Sequence, residues 1–208
     1  MDLANLSLPV EWGVAEQAAP RESVTGDAYL MLPTGTGLLL AVVDGCGHGA
    51  EAAQAARLAL DTLRDAPGET VISHVRRCHA ALAGSRGVVM TLAEYHRRES
   101  TLTLCGVGNV EAVLFRARPA AGSARQEGAM LRGGIVGDHL PEPVATVMPV
   151  HAGDVLVMAS DGVRPDFTAD SVLRSPPRQS AGALLRKHTK GNDDALVFVV
   201  RFPEGRHG

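Results

Sequence analysis

The chain has 208 residues, of which 45% are hydrophobic and 21% charged, and its formal net charge is -3. These values are ordinary for a globular protein and predict one domain over residues 1–208. With a small net charge and only 3% aromatic residues, the chain gives no basis for expecting a nucleic acid or an anionic membrane as a partner.

The sequence also predicts a cytoplasmic location. Residues 1–13 lack the basic and apolar regions of a secretory signal, and no apolar run has the length that a membrane span needs. The three cysteines, Cys46, Cys78 and Cys105, cannot all pair and form no CxxC motif, which fits a reducing compartment.

The first half of the chain predicts a buried strand followed by two helices. Residues 37–43 (GLLLAVV) form a short apolar run that ends in glycine-rich turn residues, which is typical of a buried strand. Residues 50–63 are strong helix formers with apolar members on one face. After Pro67, apolar residues recur at helical spacing from Val71 to Leu82.

From residue 88 the pattern changes to that of β-structure. Six β-prone runs are separated by turn residues, at 88–95, 101–106, 110–116, 144–148, 154–159 and 195–202. The segment 119–128 predicts an exposed loop, and 181–188 a last helix. Because the strands follow one another at hairpin spacing, an α+β fold of packed antiparallel sheets covered by helices is favoured over a parallel sheet.

The aspartates fall at the ends of these predicted strands. Asp44 and Asp161 each end an apolar run and precede a glycine, Asp193 and Asp194 open the last run, and Asp27 precedes another apolar stretch. Buried carboxylates that converge repel one another, and a divalent cation is the usual remedy. Oxygen ligands favour Mg²⁺ or Mn²⁺ over zinc, and two such ions could activate a water and clamp a phosphoryl group.

Plain turn chemistry is the alternative interpretation. Aspartate and glycine are common in turns and at helix N-termini, so Asp44 could merely start the following helix and Asp161 could merely begin a turn. A dinucleotide-binding loop at 45–49 is disfavoured, because its glycine spacing differs from GxGxxG and Asp44 would repel a pyrophosphate. His48 is interpreted as a loop residue with a local hydrogen bond.

Five segments in this order resemble the metal-dependent protein phosphatases of the 2C type, in their SpoIIE-like bacterial branch. They are GDAY at 26–29, VVDGCGHG at 42–49, GVGN at 106–109, GD and ASDGV within 153–163, and NDDALVFVV at 192–200. The resemblance implies a four-layer α-β-β-α sandwich of two mainly antiparallel sheets flanked by helices, with a site for two Mn²⁺ or Mg²⁺ ions in the cleft between the sheets.

The resemblance also implies roles for individual residues. Asp44 would bridge two metal ions, the Gly45 carbonyl would bind one of them, and Asp161 and Asp193 would complete the other shell. Asp27 would act through metal-bound water, which would hydrolyse phosphoserine or phosphothreonine directly. The catalytic residues would therefore be Asp44, Asp27 and Asp161.

Two positions depart from the family pattern. Leu196 stands where the terminal motif usually has Thr or Ser, so Asp194 could share or replace the metal-binding role of Asp193. Arg21 lies near the place of a phosphate-binding arginine of the eukaryotic members, without clear register, and is a candidate for that role.

Within the branch, the chain is most similar to the stand-alone RsbX-type phosphatases. This implies a phosphorylated STAS-domain scaffold protein of the stressosome as substrate, and a role in resetting stress signalling. One alternative is a phosphatase of a phosphorylated anti-sigma-factor antagonist. Others are a catalytically silent binding module with the same fold, and a nucleotide-binding α/β domain in which the Asp-Gly pairs are plain turns.

Overall fold

The computed structural model describes residues 10–120, 122, 124–164, 166 and 174–203. Residues 1–9 of the N-terminal prediction, and residues 121 and 123 of the predicted loop, lie outside this part. The strands are β1 Glu11–Gln17, β2 Asp27–Pro33, β3 Gly37–Gly45, β4 Val88–His96, β5 Thr101–Val107, β6 Glu111–Phe115, β7 Gln126–Gly128, β8 Leu131–Arg132, β9 Thr146–Pro149, β10 Val155–Ala159 and β11 Ala195–Arg201. The helices are α1 Ala50–Arg64, α2 Val71–Ala81 and α3 Pro177–His188.

The strands form two sheets. The first has the order β1-β11-β10-β6-β7 and is antiparallel throughout its described pairs. The second has the order β2-β3-β4-β5-β8, and β9 also pairs with β5. The β5–β8 pair is parallel and its other pairs are antiparallel. The predicted α+β fold with two mainly antiparallel sheets is confirmed.

Strand β3 shows why the apolar run at 37–43 has no polar alternation. Leu38, Leu40 and Val42 lie in the core between the two sheets, whereas Leu39 and Ala41 point to the opposite face, toward α1 and α2. A strand that is buried on both faces needs apolar residues at every position.

The helices cover the outer faces of the sheets. Helix α1 buries an alanine-rich face on the second sheet, where small side chains let the backbones approach closely. Helix α3 packs Ala181 and Leu184 against β10 and β11 of the first sheet. The four layers are therefore helices, sheet, sheet and helix, as the resemblance implied. Among the residues that the structure describes, no helix is long and apolar enough to span a bilayer.

Three local predictions differ from the structure. Helix α3 begins at Pro177, earlier than the predicted residue 181, because proline fits the first turn of a helix, where no amide donor is needed. Strand β7 occupies 126–128 of the predicted loop, as a short exposed edge paired with β6. Strand β1 has no clear sequence signal, and its pairing with β11 over seven residues creates it.

A buried ion-pair network joins the two sheets at the end where β6 finishes and β10 begins. The Arg116 side chain is 8% exposed and donates to Asp154 (2.9 Å) and to the Pro149 carbonyl (2.6 Å), and it also contacts Glu127. The second Asp154 oxygen accepts from the Ala117 amide at 2.9 Å. The strands that meet here run from this network to the acidic end described below.

We expect Arg116→Ala to destabilise the fold by about 3 kcal/mol, because it leaves the buried Asp154 charge without its partner. The melting temperature should fall by roughly 6 to 12 °C for a domain of this size, while divalent-metal affinity measured by calorimetry stays unchanged. Arg118→Ala, at an exposed position two residues away, is the matched control. A melting temperature equal to that of wild type would show that the network adds no stability.

Candidate metal centre

The acidic residues gather where strands of both sheets end. In the second sheet, Asp27 at the start of β2 lies directly opposite Asp44 near the end of β3. In the first sheet, Asp161 follows β10, and Asp193 and Asp194 precede β11, its antiparallel neighbour. The fold thus brings the five predicted aspartates to one end of the sandwich.

Ser160 ties the two sheets together at this end. Its hydroxyl donates to Asp27 Oδ2 at 2.6 Å and accepts from the Leu196 amide at 2.9 Å. All three residues are buried. Leu196, which departs from the family pattern, fills the core between the sheets, and its amide helps to orient Ser160. The sequence reasoning passed over Ser160, whose only signal was its place before Asp161 in the ASDGV segment.

The carboxylates strongly affect one another. Burial, together with the charges of the four other aspartates, raises the pKa of Asp44 from 3.8 to about 8. Burial and the charges of Asp194, Asp161 and Asp193 raise the pKa of Asp27 to about 7, although the hydrogen bond from Ser160 opposes part of this rise. Without a cation, full ionisation of the cluster near neutral pH is therefore unfavourable.

The donor set fits a hard divalent cation. Asp27 Oδ1 is buried without a hydrogen-bond partner, and a cation would satisfy it as well as offset the repulsion. In the described ranges, no group of three or more His, Cys, Asp or Glu side chains lies close enough together to hold a metal ion by itself. Mg²⁺ does not require one, because it keeps several water ligands and is commonly held by one or two carboxylates.

The Asp194 carboxylate has a structural role. Its carboxylate is buried and accepts from the Ala19 amide at 2.7 Å and from the Gly26 amide at 2.8 Å. Asp193 is half-buried, and one of its oxygens accepts from the Asp194 amide at 2.9 Å. Its other oxygen has no hydrogen bond among the described residues. Asp193 therefore keeps a carboxylate oxygen without a hydrogen bond, whereas both oxygens of Asp194 are engaged by backbone amides.

Asn109 orients Asp161. Its Nδ2 donates to Asp161 Oδ2 at 2.8 Å from the turn that follows β5. In the sequence, the only signal for this asparagine is its place in the GVGN segment, and it was not among the predicted site residues. Gly108 permits the turn: it has a φ of 93°, and a Cβ there would lie 2.2 Å from the Val89 side chain.

The two Asp-Gly pairs differ: Asp44-Gly45 ends β3, whereas Asp161-Gly162 lies in a turn in which the Val163 amide donates to the Ser160 carbonyl at 3.2 Å. Neither Gly45 nor Gly162 has a left-handed φ. A Cβ on Gly45 would lie 2.1 Å from the Ala52 carbonyl oxygen of α1, and one on Gly162 would lie 1.8 Å from the Asp194 carbonyl oxygen. Glycine is required because backbone packs directly on backbone at both places, which places each aspartate against a neighbouring element.

Arg21 and His48 lie on loops at the same end. Arg21 is exposed, with a φ of 73°, between β1 and β2, and its side chain has no hydrogen bond or ion pair among the described residues. Its neighbour Glu22 contacts His48 Nδ1 at 2.8 Å. The hydrogen bond of His48 thus crosses to the β1–β2 loop, whereas a local one was predicted.

Comparisons with known proteins agree with this architecture. The family model described as Stage II sporulation protein E (SpoIIE) matches residues 34–203. A search of curated proteins found no match. A solved structure from work on the bacterial stressosome, "a modular system that has been adapted to control secondary messenger signaling", is 27% identical with a TM-score of 0.82, covering 92% of this chain and 99% of that chain.

Two further solved structures are similar. RsbX in complex with magnesium is 20% identical with a TM-score of 0.80, over 92% of this chain and 94% of that chain. The PP2C phosphatase domain of SpoIIE from Bacillus subtilis, with a fragment of its regulatory domain, is 20% identical with a TM-score of 0.73, over 93% of this chain and 63% of that chain. The chain belongs to the SpoIIE family of metal-dependent, PP2C-type protein phosphatases.

Proposed function

We propose that this chain hydrolyses phosphoserine or phosphothreonine in a protein substrate directly, with two Mn²⁺ or Mg²⁺ ions bound at the aspartate cluster. The observation that supports this most is the convergence of five carboxylates from both sheets, with the unpartnered Asp27 Oδ1 among them. When bound, the ions supply an activated water at neutral pH and offset the charge of the phosphoryl group.

The ligands that we propose are Asp44, the Gly45 carbonyl, Asp161 and Asp193. Asp44 would be the central ligand, because it lies opposite Asp27 in one sheet and within the electrostatic reach of Asp161 and Asp193 in the other. This assignment leaves Asp194 out of the metal shell, since both of its oxygens already accept backbone hydrogen bonds.

The remaining contacts hold these groups in place. Asn109 fixes one oxygen of Asp161, and Ser160 fixes one oxygen of Asp27 and leaves the other free. The free oxygen of Asp27 could accept a hydrogen bond from a water beside it, which would help to position that water. Direct hydrolysis without a covalent intermediate is the reaction that membership of the SpoIIE family favours.

We propose a phosphorylated STAS-domain protein of a stressosome as the substrate. The similarity to RsbX and to the structure from the stressosome work supports this choice. We expect the purified chain with Mn²⁺ to release phosphate from such a scaffold protein with a kcat/KM at least roughly 10-fold above that for a phosphorylated anti-sigma-factor antagonist, about 1.4 kcal/mol of selectivity.

The assay measures phosphate release from both substrates, with a chelator as the control for metal dependence. Equal hydrolysis of the two phosphoproteins would remove the substrate assignment and leave the phosphatase activity standing. Hydrolysis in excess chelator, or none with any phosphoprotein or generic phosphoester, would contradict the proposed mechanism itself.

A further inference from the structure

Arg86 lies beside the loop 46–49, which follows the proposed ligands Asp44 and Gly45 at the end of β3. Its Nη1 would be 2.8 Å from a Cβ on Gly47, which has a φ of 93°. The Cys46 amide donates to the Gly87 carbonyl at 3.1 Å, so the backbone next to Arg86 is bonded to the residue that follows Gly45. Gly47 is two residues beyond Gly45, and since consecutive Cα atoms are about 3.8 Å apart, the Cα atoms of the two glycines are at most about 7.6 Å apart.

One edge of this guanidinium is held and the other is free. Arg86 Nε donates to Glu51 at 2.5 Å, whereas neither Nη atom has a hydrogen-bond partner among the described residues. The two side chains are 52% and 68% exposed, so the ion pair adds little stability. Glu51, in the first turn of α1, engages the Nε edge of Arg86 and leaves Nη1 beside Gly47.

Other arginines near this end are placed differently. Arg164 donates to the Lys187 carbonyl and lies 3.9 Å from Asp166, so its guanidinium is already engaged. Arg21 is exposed and no described residue holds its side chain. Of these three, Arg86 alone has both a side-chain partner, Glu51, and Nη donors without a hydrogen bond among the described residues.

We propose that Arg86 binds the phosphoryl group of the substrate through its Nη donors, and that Glu51 is its positioning residue. The inference rests on the proposed function of the neighbouring site. A guanidinium with two parallel N–H donors matches two phosphate oxygens. A phosphate dianion that approaches a cluster of aspartates gains from a cation at the rim, in addition to bound metal ions.

The test compares Arg86→Ala, Arg86→Lys and Glu51→Gln with wild type, each as the full chain loaded with Mg²⁺. Calorimetry measures the affinity for inorganic phosphate and, separately, for Mg²⁺. We expect Arg86→Ala to weaken phosphate binding roughly 10- to 100-fold, the range for lost hydrogen bonds to a charged group, and to raise KM for p-nitrophenyl phosphate. Mg²⁺ affinity should stay as in wild type.

Arg86→Lys should restore part of the phosphate affinity, and Glu51→Gln should raise KM with little change in kcat, as expected of a positioning residue. Arg64→Ala is the matched control, because the Arg64–Asp61 pair is exposed at the opposite end of α1. Arg21→Ala tests the rival assignment. Should Arg86→Ala fail to fold, the lysine and glutamine variants carry the same comparison.

Phosphate affinity in Arg86→Ala equal to that of wild type overturns the inference, as does a phosphate loss in Arg21→Ala alone. Absence of phosphate binding by the wild type also overturns it. If the wild type binds phosphate through Arg86 but hydrolyses no phosphoester, the proposed function fails and the phosphate site stands.

Discussion

Asp44→Asn should lower metal-dependent phosphatase turnover roughly 10³-fold or more, the scale on which loss of a main electrostatic stabiliser acts. The reason is geometric: Asp44 faces Asp27 across the β2–β3 pair and senses the carboxylates of the other sheet. Calorimetry should show weakened binding of Mn²⁺. Asp65→Asn, at an exposed position after α1, is the control, and it should keep full turnover.

The same substitution should stabilise the metal-free protein. Folding raises the pKa of Asp44 from 3.8 to about 8, so between these values the folded state binds more protons than the unfolded state. The contribution of Asp44 to the free energy of unfolding is therefore most favourable below the pKa of the unfolded state. It is lost as the pH rises through the pKa of the folded state. Asp44 is only half-buried, so water screens part of this effect. We therefore expect ionised Asp44 to destabilise the metal-free wild type by about 2 kcal/mol.

In excess chelator, the melting temperature of Asp44→Asn should exceed that of wild type by roughly 4 to 8 °C at pH 8, and the difference should shrink toward pH 5. Saturating Mn²⁺ should reverse the order, since only the wild type gains binding energy from the metal. Full turnover in the variant, or a stability difference that does not depend on pH, would contradict the assignment of Asp44.

Asp193→Ala and Asp194→Ala should fail in opposite ways. Asp194→Ala leaves the amides of Ala19 and Gly26 without acceptors, and each buried unpaired donor costs about 1 to 3 kcal/mol. It should lower the melting temperature strongly and retain metal-dependent turnover at low temperature. Asp193→Ala loses one hydrogen bond to a neighbouring amide, so its stability should fall by about 1 kcal/mol.

For phosphatase turnover, Asp193→Ala should be the more damaging of the two substitutions. Asp193→Ala should lose about 10²-fold or more, as expected when a group that holds the catalytic charge is removed, together with Mn²⁺ affinity. Thermal unfolding, calorimetry and phosphate release on the same two proteins make the comparison. If Asp194→Ala is stable but has lost metal binding, and Asp193→Ala is active, then Asp194 is the metal ligand and Asp193 is not.

Local sequence patterns were enough to predict the elements that are buried on a regular face. The run 37–43 identified β3 because both of its faces are covered, and α1 and α2 follow from helical spacing. The family segments placed Asp27, Asp44 and Asp161 at strand ends, as the structure has them. These patterns are local, because periodicity records which side of an element is buried.

Other features depend on contacts between distant parts of the chain. Strand β1 exists by pairing with β11, and α3 begins against β1, where a Cβ on Gly13 would lie 2.3 Å from the Arg178 backbone. Neither contact leaves a periodic signal in its own segment. Sequence reasoning therefore missed the strand and shortened the helix.

For the aspartate cluster too, some features follow from the sequence and others from the tertiary structure. The sequence by itself determined that acidic residues end several buried strands, beside glycines that allow close packing. Only the tertiary structure decided that Asp194 is held by amides 175 and 168 residues away, that Ser160 restrains Asp27, and that Arg86 rests on the Gly47 loop. Adjacent carboxylates such as Asp193 and Asp194 are chemically identical, so only the donors that folding brings to each one can separate their roles.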